Sequence, residues 1–123
     1  MDARLSEAEW AVMEVLWSAP GALTATDIAA RVPAEREWTL ATVKSLLSRL
    51  LAKKAVAPRK DGRRFLYAPA IAREPLVADE SRRFVDRLFG GRLSPLFAHL
   101  ADEEALDDAD IAAIEKLLKE LRR

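Results

Sequence analysis

The run from Trp38 to Lys54, WTLATVKSLLSRLLAKK, constrains this chain more than any other stretch. Its apolar residues stand at 40, 43, 46, 47, 50 and 51, one stripe at the helical period of about 3.6. Thr39 is placed to cap the helix by accepting from the amide of Thr42. Trp38 and Val43 have the spacing of a hydrophobic staple. The opposite face carries Ala41, Thr42, Ser45, Ser48, Arg49 and Ala52, and the helix ends at Lys53-Lys54. Solubility alone more often fills such a face with Glu and Lys. Small hydroxylated side chains beside a guanidinium suit close approach to base edges and phosphates. An ordinary amphipathic core helix would bury the same stripe, so its neighbours in sequence decide.

Before it stand two shorter helical signals. Ser6 and Glu9 form a capping box, Leu5 and Trp10 a staple. Trp10, Met13, Leu16 and Trp17 then give a broad apolar face, with Val12 and Val15 near its edge. Both tryptophans are expected in the core, and Pro20-Gly21 ends the helix. A short connection, Ala22-Leu23, leads to a second helix with Thr24 as cap and Asp27 three residues on. Ile28, Ala29 and Val32 face inward, and Pro33 closes it. Two helices joined by a short segment, the second with an outward polar face, make a helix-turn-helix pattern.

After Lys54 the period becomes alternating. Val56 to Lys60 run into Asp61-Gly62, and Arg63 to Tyr67 run out, which predicts a hairpin with a two-residue type I′ turn at Asp-Gly. Pro58 marks an edge strand. Arg59, Lys60, Arg63 and Arg64 cluster at the tip, while Phe65 and Tyr67 are expected to cover the core. Three helices and a basic-tipped hairpin describe a winged helix, mainly α with a small β wing.

Charge supports a polyanionic partner. The formal total is zero, yet residues 1–70 hold 11 Lys and Arg against 8 Asp and Glu, and residues 71–123 hold 9 against 12. Within 44–64 the balance is 8 basic to 1 acidic. With no Cys there is no disulfide, thiolate zinc site or thiol nucleophile, and one His leaves little for metal or catalytic chemistry. No metal, cofactor or enzymatic activity is expected. No apolar run approaches the ~18 residues of a membrane span, and Met-Asp-Ala-Arg does not open a signal peptide. A cytoplasmic protein without membrane insertion is the expectation.

Pro69 ends the compact part, so we expect a winged-helix DNA-binding domain over 1–72 and a helical dimerisation region over 73–123. Three short helices follow: Pro75–Phe89, a brief one capped by Ser94, and Asp108–Leu121 capped by Asp107. Their apolar residues, Val85, Leu88, Phe89, Leu96, Phe97, Ile111, Ile114, Leu118 and Leu121 among them, are too few to bury one another. A second copy would cover them and make a two-fold reader of a palindromic site; the alternative is a tail that packs back on its own winged helix.

The chain resembles the BlaI/MecI/CopY family of bacterial transcriptional repressors, the penicillinase-repressor type, over roughly residues 3–121. LSEAEWAVMEVLW, TATDIAARV, WTLATVKSLLSRLLAKK, DGRRFLYAP, FGGRLSPLFAHL and LDDADIAAIEKLLKEL carry the resemblance in this order. It implies a homodimer on inverted repeats, often with TACA/TGTA half-sites, relieved by proteolysis in the tail. A membrane sensor-protease responding to β-lactams or a related signal would start that cleavage. Carried over by position, the double-stranded DNA contacts are Ala41, Thr42, Lys44, Ser45, Ser48 and Arg49, with wing contacts from Arg63 or Arg64. Thr39 at the helix start and Lys60 at the hairpin tip complete the set of candidate DNA-binding residues. The family's Asn-Phe cleavage bond has its nearest match at His99-Leu100 or Ala98-His99, in a segment one residue longer. The copper-branch tail cysteines are missing. Relatives tend to have Gly where this chain has Ala55, so a left-handed helix end there would cost about 1 kcal/mol.

Two other classes share parts of this pattern. A winged helix used only for protein contact would not need Arg49 or the wing arginines. A repressor released by a small molecule would need an apolar pocket that the sequence does not display.

Overall fold

The computed structural model describes residues 4–122. Met1 to Ala3, on which the signal-peptide expectation partly rests, lie outside the described residues, as does Arg123. The chain divides into two compact units, one ending at Glu74 and the other starting at Pro75.

The first unit holds α1 (Glu7–Ser18), α2 (Ala25–Arg31), α3 (Leu40–Ala52), β1 (Val56–Asp61) and β2 (Arg64–Pro69). The expected capping box of Ser6 with Glu9 forms, the expected Thr24 cap closes into a second box with Asp27, and Thr39 accepts from the Thr42 amide at 3.1 Å. Each cap satisfies an amide with no partner inside its helix. The core is one cluster of Val12, Met13 and Leu16 from α1, Ile28 from α2, and Val43, Leu46, Leu47 and Leu50 from α3, closed by Leu23, Ala55 and Val56.

Several expectations about this unit need correction. Val12 and Val15 lie in the core rather than at its edge, while Trp10 and Trp17 are only half-buried. The two indoles meet edge to face, 5.5 Å apart. Their N–H groups are satisfied outside the apolar cluster, Trp10 donating to Glu14 and Trp17 to the Ile71 carbonyl at 3.0 Å. The tryptophans thus cover the flank where residues 71–73 return to α1, and Arg73 fixes that return through two hydrogen bonds to Glu14. Leu40, in the first turn of α3, projects past the core and stays exposed.

The end of α3 also differs. The left-handed residue is Lys54 (φ 60°), not Ala55. The Ala55 amide donates to the Leu50 carbonyl at 2.9 Å and the Lys54 amide to Leu51 at 3.0 Å. That bond pair is a Schellman motif, with Ala55 packing inward where its hydrophobic contact belongs.

β1 and β2 pair antiparallel with Asp61 opposite Arg64, so the two-residue loop is Gly62-Arg63 rather than Asp61-Gly62. Of the two, only Gly62 has positive φ, which is the pattern of a type II′ turn and needs glycine at its first central position. Asp61 remains in the strand and forms an ion pair with Arg64 at 3.1 Å. The supposed connection at Leu23 forms a one-residue third strand, exchanging both backbone hydrogen bonds with Tyr67 at 2.7 and 2.9 Å. Tyr67 stands opposite Pro58 and its backbone bonds point away from β1. The matching edge of Pro58 therefore needs no N–H, and proline costs nothing there.

The second unit follows α4 (Arg73–Phe89), whose first turn contains the division, with α5 (Leu93–Asp102) and α6 (Asp108–Leu121). α4 starts before the expected Pro75, a proline tolerated because first-turn amides lack intrahelical partners. It ends at Gly90 and Gly91, both with positive φ, a consecutive pair that only glycine adopts freely. Ser94 does not cap α5; the helix begins at Leu93, two residues earlier than a Ser94 cap implies, with Arg92 at the cap position and no side-chain cap bond. Asp107 and Asp110 do form a capping box on α6.

Candidate nucleic-acid interface

The four buried residues of α3, Val43, Leu46, Leu47 and Leu50, lie on one side of the helix. Helical geometry turns Ala41, Lys44, Ser45, Ser48 and Arg49 to the other, and all five are exposed. Thr42 is half-buried at the margin, and Thr39 is held at the helix start, 3.1 Å from the Thr42 hydroxyl. A shallow concavity flanks each side of this ridge. One is lined by Trp38, Ala41, Thr42, Ser45, Leu46 and Arg49 with Ala8. In the other, Lys44 and Ser48 meet Arg63, Arg64 and Phe65 of the wing and Thr24, Ala25 and Thr26 of α2.

The cations of this face are not equivalent. Lys44, Arg49, Arg59, Lys60 and Arg63 are exposed and make no ion pair among the described residues. Lys53 is withdrawn: its Nζ bonds Glu9 at 2.5 Å and the Arg4 carbonyl at 2.6 Å. Glu9 is 1 % exposed and also accepts from the Ser6 amide. Burial pushes its carboxyl up, but Lys53 and Ser6 together outweigh that and hold its pKa below the ordinary 4.5. Arg64 is shared with Asp61. Arg36 pairs with Glu7 and stacks over Trp38, 4.9 Å from the ring centroid, so it braces the entry to α3.

Two residues of this surface escaped the sequence reading. Phe65 was expected over the core and is instead 49 % exposed, because the strand carries it past the apolar cluster toward the tip. Thr26 lines the same concavity from α2. The start of the first helix in a helix-turn-helix pair was the signal that could have found it. Among the described residues no group of acidic or imidazole side chains could hold a metal ion, and no helix is long and apolar enough to cross a membrane.

Of the expected tail residues, Leu88, Phe97, Ile111, Leu118 and Leu121 are exposed, and Phe89, Leu96 and Ile114 are half-buried. Val85 departs from this set, being buried within a single chain, so little of it remains to face a partner. His99 is exposed and Leu100 half-buried, both in the last turn of α5.

The family model of the penicillinase repressors matches residues 5–120. The chain belongs to that family. It is a family of repressors, not of enzymes. This repressor is 26% identical over 117 residues to the penicillinase repressor of Bacillus licheniformis, covering 95% of this chain and 91% of that one. It is 25% identical over 114 residues to the methicillin resistance regulatory protein MecI of Mammaliicoccus sciuri, covering 93% and 92%. Among solved structures, the monomeric form of Bacillus licheniformis BlaI in complex with the blaP half-operator superposes with a TM-score of 0.51 at 28% identity. That match covers 60% of this chain and 89% of that one.

Proposed function

We propose that this DNA-binding repressor acts as a homodimer on an inverted-repeat operator. One winged unit reads each half-site and the tails join the copies. The observation that carries the reading is the exposed ridge of α3, Ala41, Lys44, Ser45, Ser48 and Arg49, standing beside a wing with uncommitted cations. Thr39, Thr42 and Ser45 occupy the N-terminal half of the helix, the part that usually enters the major groove. Their hydroxyls donate or accept at base edges, and the Thr42 methyl packs on a thymine methyl. Lys60, Arg63 and Arg64 meet phosphates. The half-operator complex of the Bacillus relative supports one winged unit per half-site.

Relief of repression is proposed to follow cleavage in the tail by a membrane sensor-protease. The Ala98-His99 and His99-Leu100 bonds lie in the last turn of α5, where fraying would free the backbone for cleavage. Severing α5 from α6 would split the apolar surface that a second copy covers.

Selection of bound sites from random duplexes tests the reading, with inverted repeats as the expected product. Competition with single-base variants then examines Arg49→Ala. A base contact predicts a loss of roughly 1–3 kcal/mol and relaxed preference at one position per half-site. A phosphate contact predicts a uniform loss. Recovery of no enriched sequence, or full affinity and preference in both Arg49→Ala and Ser45→Ala, would refute α3 as the reader.

A further inference from the structure

Phe65 is 49 % exposed, although Tyr67, two residues on along the same face of β2, packs against the core. It stands opposite Lys60 in the hairpin ladder and lines the concavity between wing and α3. Burying a phenyl ring is strongly favourable, and the fold leaves half of that gain unused. The surroundings select what could complete it. Lys44, Arg63 and Arg64 supply positive charge, Ser48 and Thr26 supply hydroxyls, and none of the residues lining the concavity is acidic.

When a helix lies in the major groove and a wing reaches the adjacent minor groove, the strand between them passes through such a concavity. That strand alternates charged phosphates with the apolar faces of its sugars. Cations and hydroxyls around a phenyl match this alternation. Resting on the DNA-binding reading above, we infer that Phe65 packs against deoxyribose of the strand running between α3 and the wing. It is a non-ionic contact that seats the backbone. An acidic protein segment would satisfy the cations equally well, and the test separates the two.

The test uses the whole chain and its selected operator, titrated across salt concentrations, for wild type, Phe65→Ala and Phe65→Leu. Phe65→Ala is expected to bind about five- to twentyfold more weakly at every salt concentration. The slope of log affinity on log salt should not change, because a phenyl releases no counterions. Base preference is also retained, and Phe65→Leu recovers part of the loss. Thermal unfolding of both variants should stay near wild type, since the ring is half in solvent already. Affinity of Phe65→Ala within about twofold of wild type overturns the contact, as would be expected were the concavity an acidic-protein site. A loss accompanied by a shallower slope overturns it too, for Phe65 would then merely support the wing arginines. Wild type failing to select any duplex would instead defeat the DNA-binding reading itself.

Discussion

Lys53, at the C-terminal end of α3, reaches back to Glu9 in the first turn of α1, Nζ to Oε1 2.5 Å. Glu9 is buried and closes the α1 capping box with the same carboxylate. The pair therefore fixes the start of one helix to the end of another, and spends on packing a cation that the sequence offers to a polyanion. Removing one partner leaves the other charge uncompensated. Because Lys53 is partly open to water, Glu9→Ala should cost about 1–3 kcal/mol, below the full penalty for a buried pair. Urea denaturation measures it. Lys53→Ala should lower stability while leaving the salt dependence of DNA binding nearly unchanged. A large drop in that dependence would show that Lys53 leaves Glu9 for a phosphate.

The same carboxylate sets an acid limit. The folded-state pKa of Glu9 is lowered below 4.5, so its contribution is complete above the unfolded-state value. It is lost as pH falls through the folded value. Wild type should lose stability across this acid range more steeply than Glu9→Gln, as read by denaturation midpoints at stepped pH. Parallel pH profiles for the two proteins would rule out this role.

Lys54 holds a left-handed conformation that glycine adopts without a Cβ penalty. Lys54→Gly is expected to raise stability by about 0.5–1 kcal/mol, seen as a higher thermal midpoint. Ala55→Gly should do the opposite, since the Ala55 methyl is buried in the same apolar cluster as Leu50.

Most of the winged unit was legible because its signals are local. Capping boxes at Ser6 and Thr24 and the α3 stripe each need only a few neighbouring residues to operate. The misses are long-range. Nothing near Leu23 announces that Tyr67 will pair with it 44 residues later, and nothing near Trp17 announces the Ile71 carbonyl. Phe65 was misplaced because alternation tells which face of a strand a residue occupies, not where along the strand the core ends. The α3 face was legible by the same logic that found its core, since a buried stripe determines the exposed one. Which cations remain uncommitted was not, as Lys53 and Arg64 are claimed by acids that only the fold or the turn brings near.

The proposed dimer should be held together by the tail. Leu118 is 51 % exposed, with Ile111 and Leu121 also open to solvent. Burying such a side chain contributes about 1.5–3 kcal/mol. Leu118→Asp should weaken self-association by tenfold or more on the order of that energy. A chain ending at Glu74, which keeps the Trp17 and Glu14 contacts to residues 71–73, should sediment as a monomer. A stable dimer of that shortened chain would place the interface elsewhere.

The two turn arginines should contribute unequally to DNA binding. Arg63 occupies the second position of the hairpin turn and makes no ion pair among the described residues. Arg64 is held by Asp61. It also lies within the field of Asp27, whose carboxyl is kept below its ordinary value mainly by the Thr24 amide and hydroxyl, with smaller contributions from Arg31 and Arg64. A guanidinium already paired with a carboxylate neutralises less phosphate charge, and so displaces fewer of the counterions condensed on DNA, than an unpaired one. Arg63→Ala should therefore reduce the magnitude of the salt slope by up to ~0.9 per protomer, uniformly across duplex sequences. Arg64→Ala should reduce it less. Asp61→Asn should tighten binding at low salt by releasing Arg64 and removing a like charge to the phosphates, with the gain fading as salt screens it. Fluorescence anisotropy across a salt series measures all three. Equal slopes in wild type and both arginine variants would mean that neither arginine meets a phosphate. An Arg64→Ala loss exceeding that of Arg63→Ala would mean that Asp61 orients Arg64 toward the phosphate rather than withholding it.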